Sequence, residues 1–143
     1  MYLCVINPSK TARNIGVLFD SSLSMEEHIK ATCKSAVFHL SIIARIRKHL
    51  LAQAAETLIH SLVTSKVDFF NSLLYGVPNQ PIQKLQRVQN SAARLLTYTN
   101  KWEHIKPVIK QFHWLPVEFR VPYKILLRTF ECLKDTALAY LKD

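Results

Sequence analysis

Glycine is nearly missing from this 143-residue chain, which has two, Gly16 and Gly76. No glycine-rich loop is present to cradle a phosphate on backbone N–H groups, so the nucleotide-binding motifs built on one are excluded. Long apolar runs are missing as well. None approaches the roughly 18 residues that a membrane-spanning helix requires. The opening MYLCVINPSK has no basic region ahead of its short apolar patch and no small-residue cleavage site, so it does not read as a secretory signal and the chain is expected to be intracellular. Cysteine is scarce. Cys4, Cys33 and Cys132 are odd in number and far apart, which fits neither a disulfide framework nor a zinc pattern, and reduced, mostly buried thiols are expected. The six histidines (His28, His39, His49, His60, His104, His113) include no H-x-x-x-H pair and none lies two or three residues from a cysteine, so no metal and no cofactor is expected.

Paired carboxylates are absent too. Asp20, Asp68, Asp135 and Asp143 are scattered over loop, helix and terminus, and Asp20 in FDSS reads as a turn residue. There is no G-x-S-x-G and no H-x-E with C-x-x-C. Glu103 and His104 are sequence neighbours on a short helix, where adjacent side chains diverge. Catalysis by this chain alone is not expected.

What the chain has is apolar content, 49%, and positive charge: nineteen Lys and Arg against ten Asp and Glu, a formal +9. That length buries about two thirds of the unfolded surface in one domain, and that charge points to an anionic partner, nucleic acid first. A membrane anchor would concentrate its cations on one amphipathic helix. Here they are spread over several.

The pattern predicts a mainly α fold: a bundle of four to six helices preceded by a short β-hairpin, with residues 1–22 as the hairpin and 23–143 as the helical part. YLCVI (2–6) and NIGVLF (14–19) read as the two strands around the turn-prone Asn7-Pro8-Ser9-Lys10. Gly16 marks a bulge or close approach. The S-x-x-E box Ser24–Glu27 starts the first long helix, which ends in Arg45-Ile-Arg-Lys-His49, cations suited to its own C-terminal dipole. A second helix runs from about Ala52 to Tyr75 and closes on Gly76-Val77-Pro78, with a break allowed near Lys66 and Asp68 and with Phe69-Phe70 in the core. A short helix near Pro107–Phe112 and a last long one opened by Pro116 complete the set, with Arg120, Lys124 and Arg128 at a spacing of four. Pro122 inside the last helix should kink or delay it. The core is expected around Leu40, Leu62, Leu85, Leu95 and Leu126, with Trp114 buried at the short-helix junction.

The chain is organised around PIQKLQRVQNSAARLLTY, residues 81–98. At about 3.6 residues per turn, Ile82, Leu85, Val88, Ala92, Leu95 and Leu96 share one face, and Lys84, Arg87, Ser91, Arg94 and Tyr98 share another. The first long helix carries a second basic stripe, Lys30, Lys34, Ser41, Arg45 and Lys48. Cations mixed with neutral hydrogen-bond donors suit phosphate and sugar contacts, which position a duplex without reading its sequence.

Five blocks, NIGVLFDSSLSMEEHI (14–29), AVFHLSIIARIR (36–47), LIHSLVTSKVDFFNSLLYGVP (58–78), QRVQNSAARLLT (86–97) and HIKPVIKQFHWLPVEFRVPYKILL (104–127), together resemble, in order, the region behind the polymerase core of LINE-type (non-LTR, jockey-like) retrotransposon reverse transcriptases. The resemblance implies that residues 1–22 are a remnant of the palm edge and that the helices form the thumb and the start of the C-terminal region, which hold the template–primer duplex. Lys30, Lys34, Arg45, Lys84, Arg87 and Arg94 would then face the nucleic-acid backbone, with Tyr98 beside them. It further implies an RNA–DNA hybrid or duplex as ligand, bound with little sequence preference, and the missing palm or another protein as a further partner. The chain departs from the family at Phe69-Phe70, where tyrosine and cysteine are usual, and at Leu51-Ala52, which lacks a capping serine. Lys134–Leu138 stands in place of a glycine and proline turn, and Pro122 is unusual. The paired aspartates that carry the two metal ions of reverse transcription are absent. The alternative is a non-catalytic helical protein-interaction module derived from such an element.

Overall fold

The computed structural model describes residues 9–134 and 136. It is mainly α with an N-terminal two-stranded hairpin, as the pattern predicts. Strand β1 (Thr11–Asn14) pairs antiparallel with β2 (Val17–Asp20), in register Thr11 with Asp20 through Asn14 with Val17. The expected strand 2–6 lies outside the described residues, and the expected strand 14–19 instead contains the turn. Ile15 and Gly16, with φ of 48° and 81°, form a two-residue loop whose residues are left-handed and whose twist matches the right-handed twist of the strands. An apolar run reads as a strand, but a glycine after a residue that can be forced to positive φ makes a turn. Gly16 also takes a close approach: a Cβ there would sit 3.0 Å from the Phe69 ring.

Helix α1 spans Glu26–Ile46, two residues later than the capping box predicts. Ser24 does accept from the Glu26 N–H (3.3 Å), but its own N–H goes to Asp20 Oδ1 (2.9 Å) rather than to Glu27. Glu27 turns forward to Lys30 instead (2.6 Å). Met25, left-handed at φ 61°, drops its side chain into the core. Asp20 is thus the turn residue expected, accepting from Ser22 and Ser24 through both hydroxyls and both N–H groups. The Ser22 hydroxyl and then the Ser24 N–H hold its carboxyl well below the usual carboxylate range.

The predicted second helix is broken into pieces. Helix α2 (Ala52–Ile59) passes through one π turn (His60–Thr64) into the short α3 (Ser65–Asp68), and a 3₁₀ turn (Asn71–Leu74) follows. The π turn adds a residue to the winding, and Phe70 adopts φ 50°, so Phe69 and Phe70 rotate out of the apolar stripe. They are 46% and 40% exposed, stacked edge to face on each other, and not in the core. The polar residues that interrupt the stripe tie pieces together: Lys66 Nζ donates to Ser35 Oγ of α1 (2.8 Å), and Asp68 takes Arg120 Nη1 on both oxygens (2.7 and 2.9 Å).

Helix α4 (Asn79–Thr97), the short α5 (Lys106–Gln111) and α6 (Val117–Leu133) follow, with Pro122 inside α6 without ending it. Alanines at the crossings, Ala36, Ala55, Ala92 and Ala93, are fully enclosed and let helix axes close up. Leu40 and Leu85 are buried as expected, and Leu62 and Leu95 pack half-buried against them. Trp114 is buried with its ring edge-on to His60. Leu126 is not core: it is 67% exposed. Helix α6 buries Val117 and Val121, while Phe119, Tyr123, Leu126, Phe130 and Leu133 are exposed in one stripe.

Of the thiols, Cys33 and Cys132 are free and half-buried, while Cys4 lies outside the described residues. Among the described residues no helix is long and apolar enough to cross a membrane.

The hairpin is fastened to α1 by His28, whose Nδ1 accepts the Leu18 N–H (3.3 Å). Burial, and secondarily the charge of Arg13, lower the His28 pKa from its ordinary 6.5. A lowered folded pKa gives stability that is complete above the unfolded value and is lost as pH falls through the folded one. The amide protection factor of Leu18 should therefore drop as pH falls below 6.5 while that of Ile43 holds, and His28→Asn should remove this dependence.

Candidate nucleic-acid interface

Helices α1 and α4 pack against each other and carry the two basic stripes. Their relative direction follows from two contacts. Arg47, at the end of α1, donates through Nε to Leu95 O (3.2 Å) and through Nη2 to Leu96 O (2.9 Å) at the end of α4. Near the other end, burial pushes the Cys33 thiol up and the charge of Lys84 partly offsets it, so Lys84 is within electrostatic reach of Cys33. The helices therefore run the same way, with Lys34 level with Lys84 and Arg45 level with the last turns of α4. Lys34 and Arg45 are about 16 Å apart along α1 at 1.5 Å per residue, the rise of about five phosphates along one strand; Lys84 and Arg87 are about 5 Å apart along α4.

The seven predicted residues divide by what they touch. Lys34, Arg45 and Arg87 are exposed and Lys84 is half-buried, and none of the four side chains has a hydrogen bond or ion pair among the described residues. Lys30 is paired with Glu27, which holds its ammonium above the ordinary value. Arg94 is committed to backbone: Nη1 donates to Asn100 O (2.6 Å) and Nη2 to Glu103 O (3.0 Å). Tyr98 lies under the Arg47 guanidinium, 4.7 Å from ring centroid to Cζ, and donates to Arg47 O (3.4 Å). Nor do the serine hydroxyls face a ligand as expected. Ser41 donates to Val37 O and Ser91 to Arg87 O, both at 2.9 Å, because a helical serine readily bonds back one turn.

What remains of the seven is four unpaired cations, two on α1 and two on α4. Helix α4 contains no acidic residue, and α1 has its two, Glu26 and Glu27, in the first turn. Phe38 (62% exposed) and Ile42 (42%) interleave with Lys34 and Arg45, so the α1 side is both cationic and apolar. Among the described residues no group of three or more His, Cys, Asp and Glu comes together to hold a metal. A groove of about 940 Å³ on the far flank of α4, between Gln86, Ile109, Trp114 and Phe119, contains none of the seven residues.

Three supporting residues escaped the sequence reading. Arg47 is buried at 6% exposure and closes the C-terminus of α4, not of α1, with Nη1 also on Leu50 O (3.1 Å). Its signal was its spacing, because 36, 40, 43 and 47 continue the buried stripe of α1. Gln89 is likewise polar on a buried stripe and donates to Leu115 O (3.0 Å). Gln86 accepts the Val117 N–H (2.8 Å) at the start of α6, so the glutamines of QRVQN bind HWLPV directly.

No protein-family model matches the sequence, and comparison with curated proteins and with solved structures gives no match.

Removing the Arg47 fork strands two carbonyls of the α4 terminus and leaves Tyr98 unstacked. Arg47→Met should cost about 2–4 kcal/mol in urea unfolding, since unpaired buried acceptors cost roughly 1–3 kcal/mol each. Arg47→Lys should recover less than half of it, because an ammonium cannot span both carbonyls.

Proposed function

We propose that this chain is a nucleic-acid-binding module of the template–primer-gripping kind, a thumb-like fragment of a non-LTR retrotransposon reverse transcriptase that works inside the cell. It has no catalytic role of its own. The observation that carries the reading is that Lys34, Arg45, Lys84 and Arg87, on the packed pair α1 and α4, have no described carboxylate bonded to them. Helices held in parallel present those charges at fixed spacing, which suits the backbone of an RNA–DNA hybrid or duplex and gives no means of reading bases. The resemblance of the five sequence blocks supports the same reading. So does the packing of QRVQN onto HWLPV, because two blocks that resemble the family meet in one hydrogen-bonded junction.

A second reading, a helical protein-interaction module, is favoured by the uncovered stripe of α6, whose residues Phe119, Tyr123, Leu126, Phe130 and Leu133 recur at alternating steps of four and three. That is the spacing of a two-helix seam.

A salt titration separates the two. With four phosphates neutralised, log K against log salt should fall with a slope of about −3.5 on duplex or hybrid. Reversing Lys34, Lys84 and Arg87 to glutamate should remove most of the affinity and flatten the slope. Arg94 is left in place because it holds the following loop. Equal binding by both proteins would take the seam out of the interface and leave the α6 reading ahead.

A further inference from the structure

The loop after α4 presents an indole to solvent: Trp102 is 90% exposed. Leaving so large an apolar ring in water gains the fold nothing, yet the backbone beneath it is fixed from several sides. Arg94 grips the carbonyls of Asn100 and Glu103. The Glu103 N–H donates to Asn100 O (3.2 Å), the Asn100 side-chain amide donates to Glu103 Oε1 (3.0 Å), and the Thr97 and Thr99 hydroxyls bond each other. Arg94 thereby leaves the set of free cations and spends its charge on shaping this loop. The Lys101 ammonium lies over the indole ring, 5.6 Å from its centroid. The loop continues directly from the end of α4.

We propose that Trp102 is a stacking platform for an unpaired nucleobase, and that the ligand is a duplex along the seam with a single-stranded extension at the α4 C-terminal end. The assignment rests on the nucleic-acid reading of the seam. An indole face needs a base face. Within a duplex those faces are covered by neighbouring pairs, whereas an unpaired base offers one, and stacking of this kind is indifferent to which base it is. The loop is ordered before the ligand arrives, so stacking does not have to meet the cost of ordering it. Lys101 is placed for the phosphate that follows the stacked base.

The test uses the full chain and three ligands of one duplex sequence: blunt, with a three-nucleotide overhang, and with an abasic overhang carrying the same phosphates. The base-bearing overhang should bind more tightly than the abasic one and should quench tryptophan emission. Trp102→Ala should weaken binding of the base-bearing overhang roughly 5- to 150-fold, to the abasic level. That variant, whose emission comes from buried Trp114, should lose the quenching. Its affinity for blunt duplex and its salt slope should not change. Equal affinity for base-bearing and abasic overhangs, quenching by blunt duplex alone, or quenching that survives Trp102→Ala overturns the platform. If all three ligands bind equally with a steep salt slope, the platform falls and the seam stands. If none binds at low salt, both fall.

Discussion

The Arg47 guanidinium is the interaction on which the arrangement of the cationic surface depends. A buried cation is expensive unless it is hydrogen-bonded. Here the fork bonds carbonyls of Leu50, Leu95 and Leu96 and its face lies on Tyr98. The last carbonyls of a helix have no partner within it and carry its negative dipole end. Arg47 answers both needs and fixes the end of α1 to the end of α4. Alanines at the crossing let the two helices approach closely. Their parallel course, and so the alignment of Lys34 with Lys84, follows from these two constraints.

The same economy recurs around the bundle, where polar residues on otherwise apolar stripes act as joints. Lys66 joins α3 to α1, Asp68 and Arg120 join α3 to α6, and Gln86 and Gln89 join α4 to the start of α6. Cations used in this way are withdrawn from any ligand. Among the described residues Lys34, Arg45, Lys84 and Arg87 are left over on α1 and α4, as Lys110 is on α5 and Lys124 on α6, and the loop shaped by Arg94 carries an exposed indole. On the opposite account, the exposed stripe of α6 would be the working surface and the seam only a solubilising one.

The helical class, the basic stripes, the buried Trp114 and the turn role of Asp20 were legible from periodicity and composition alone. The hairpin register was not, because NIGVLF scores as a strand while the Ile15-Gly16 geometry is decided by what the neighbouring strands need. The break after α3 was half legible: Lys66 and Asp68 signalled it, but a π turn leaves no mark on a 3.6-residue pattern and so Phe69 and Phe70 were misplaced. Leu126 was misplaced for a different reason. Periodicity shows that a helix has an apolar face but not whether anything lies against it. In the candidate site periodicity placed the cations on α1 and α4 but could not separate free cations from committed ones, since Lys30 and Arg94 differ from Lys34 and Arg87 only in what the fold brings beside them.

The most direct test of the seam is side-chain NMR of arginine and lysine during titration with an RNA–DNA hybrid. The signals of Arg45, Arg87, Lys34 and Lys84 should shift together at low salt and return as salt is raised, while Lys124 and Arg128 on α6 stay fixed and buried Arg47 moves little. Movement of Lys124 and Arg128 with Arg45 and Arg87 unchanged would contradict the account.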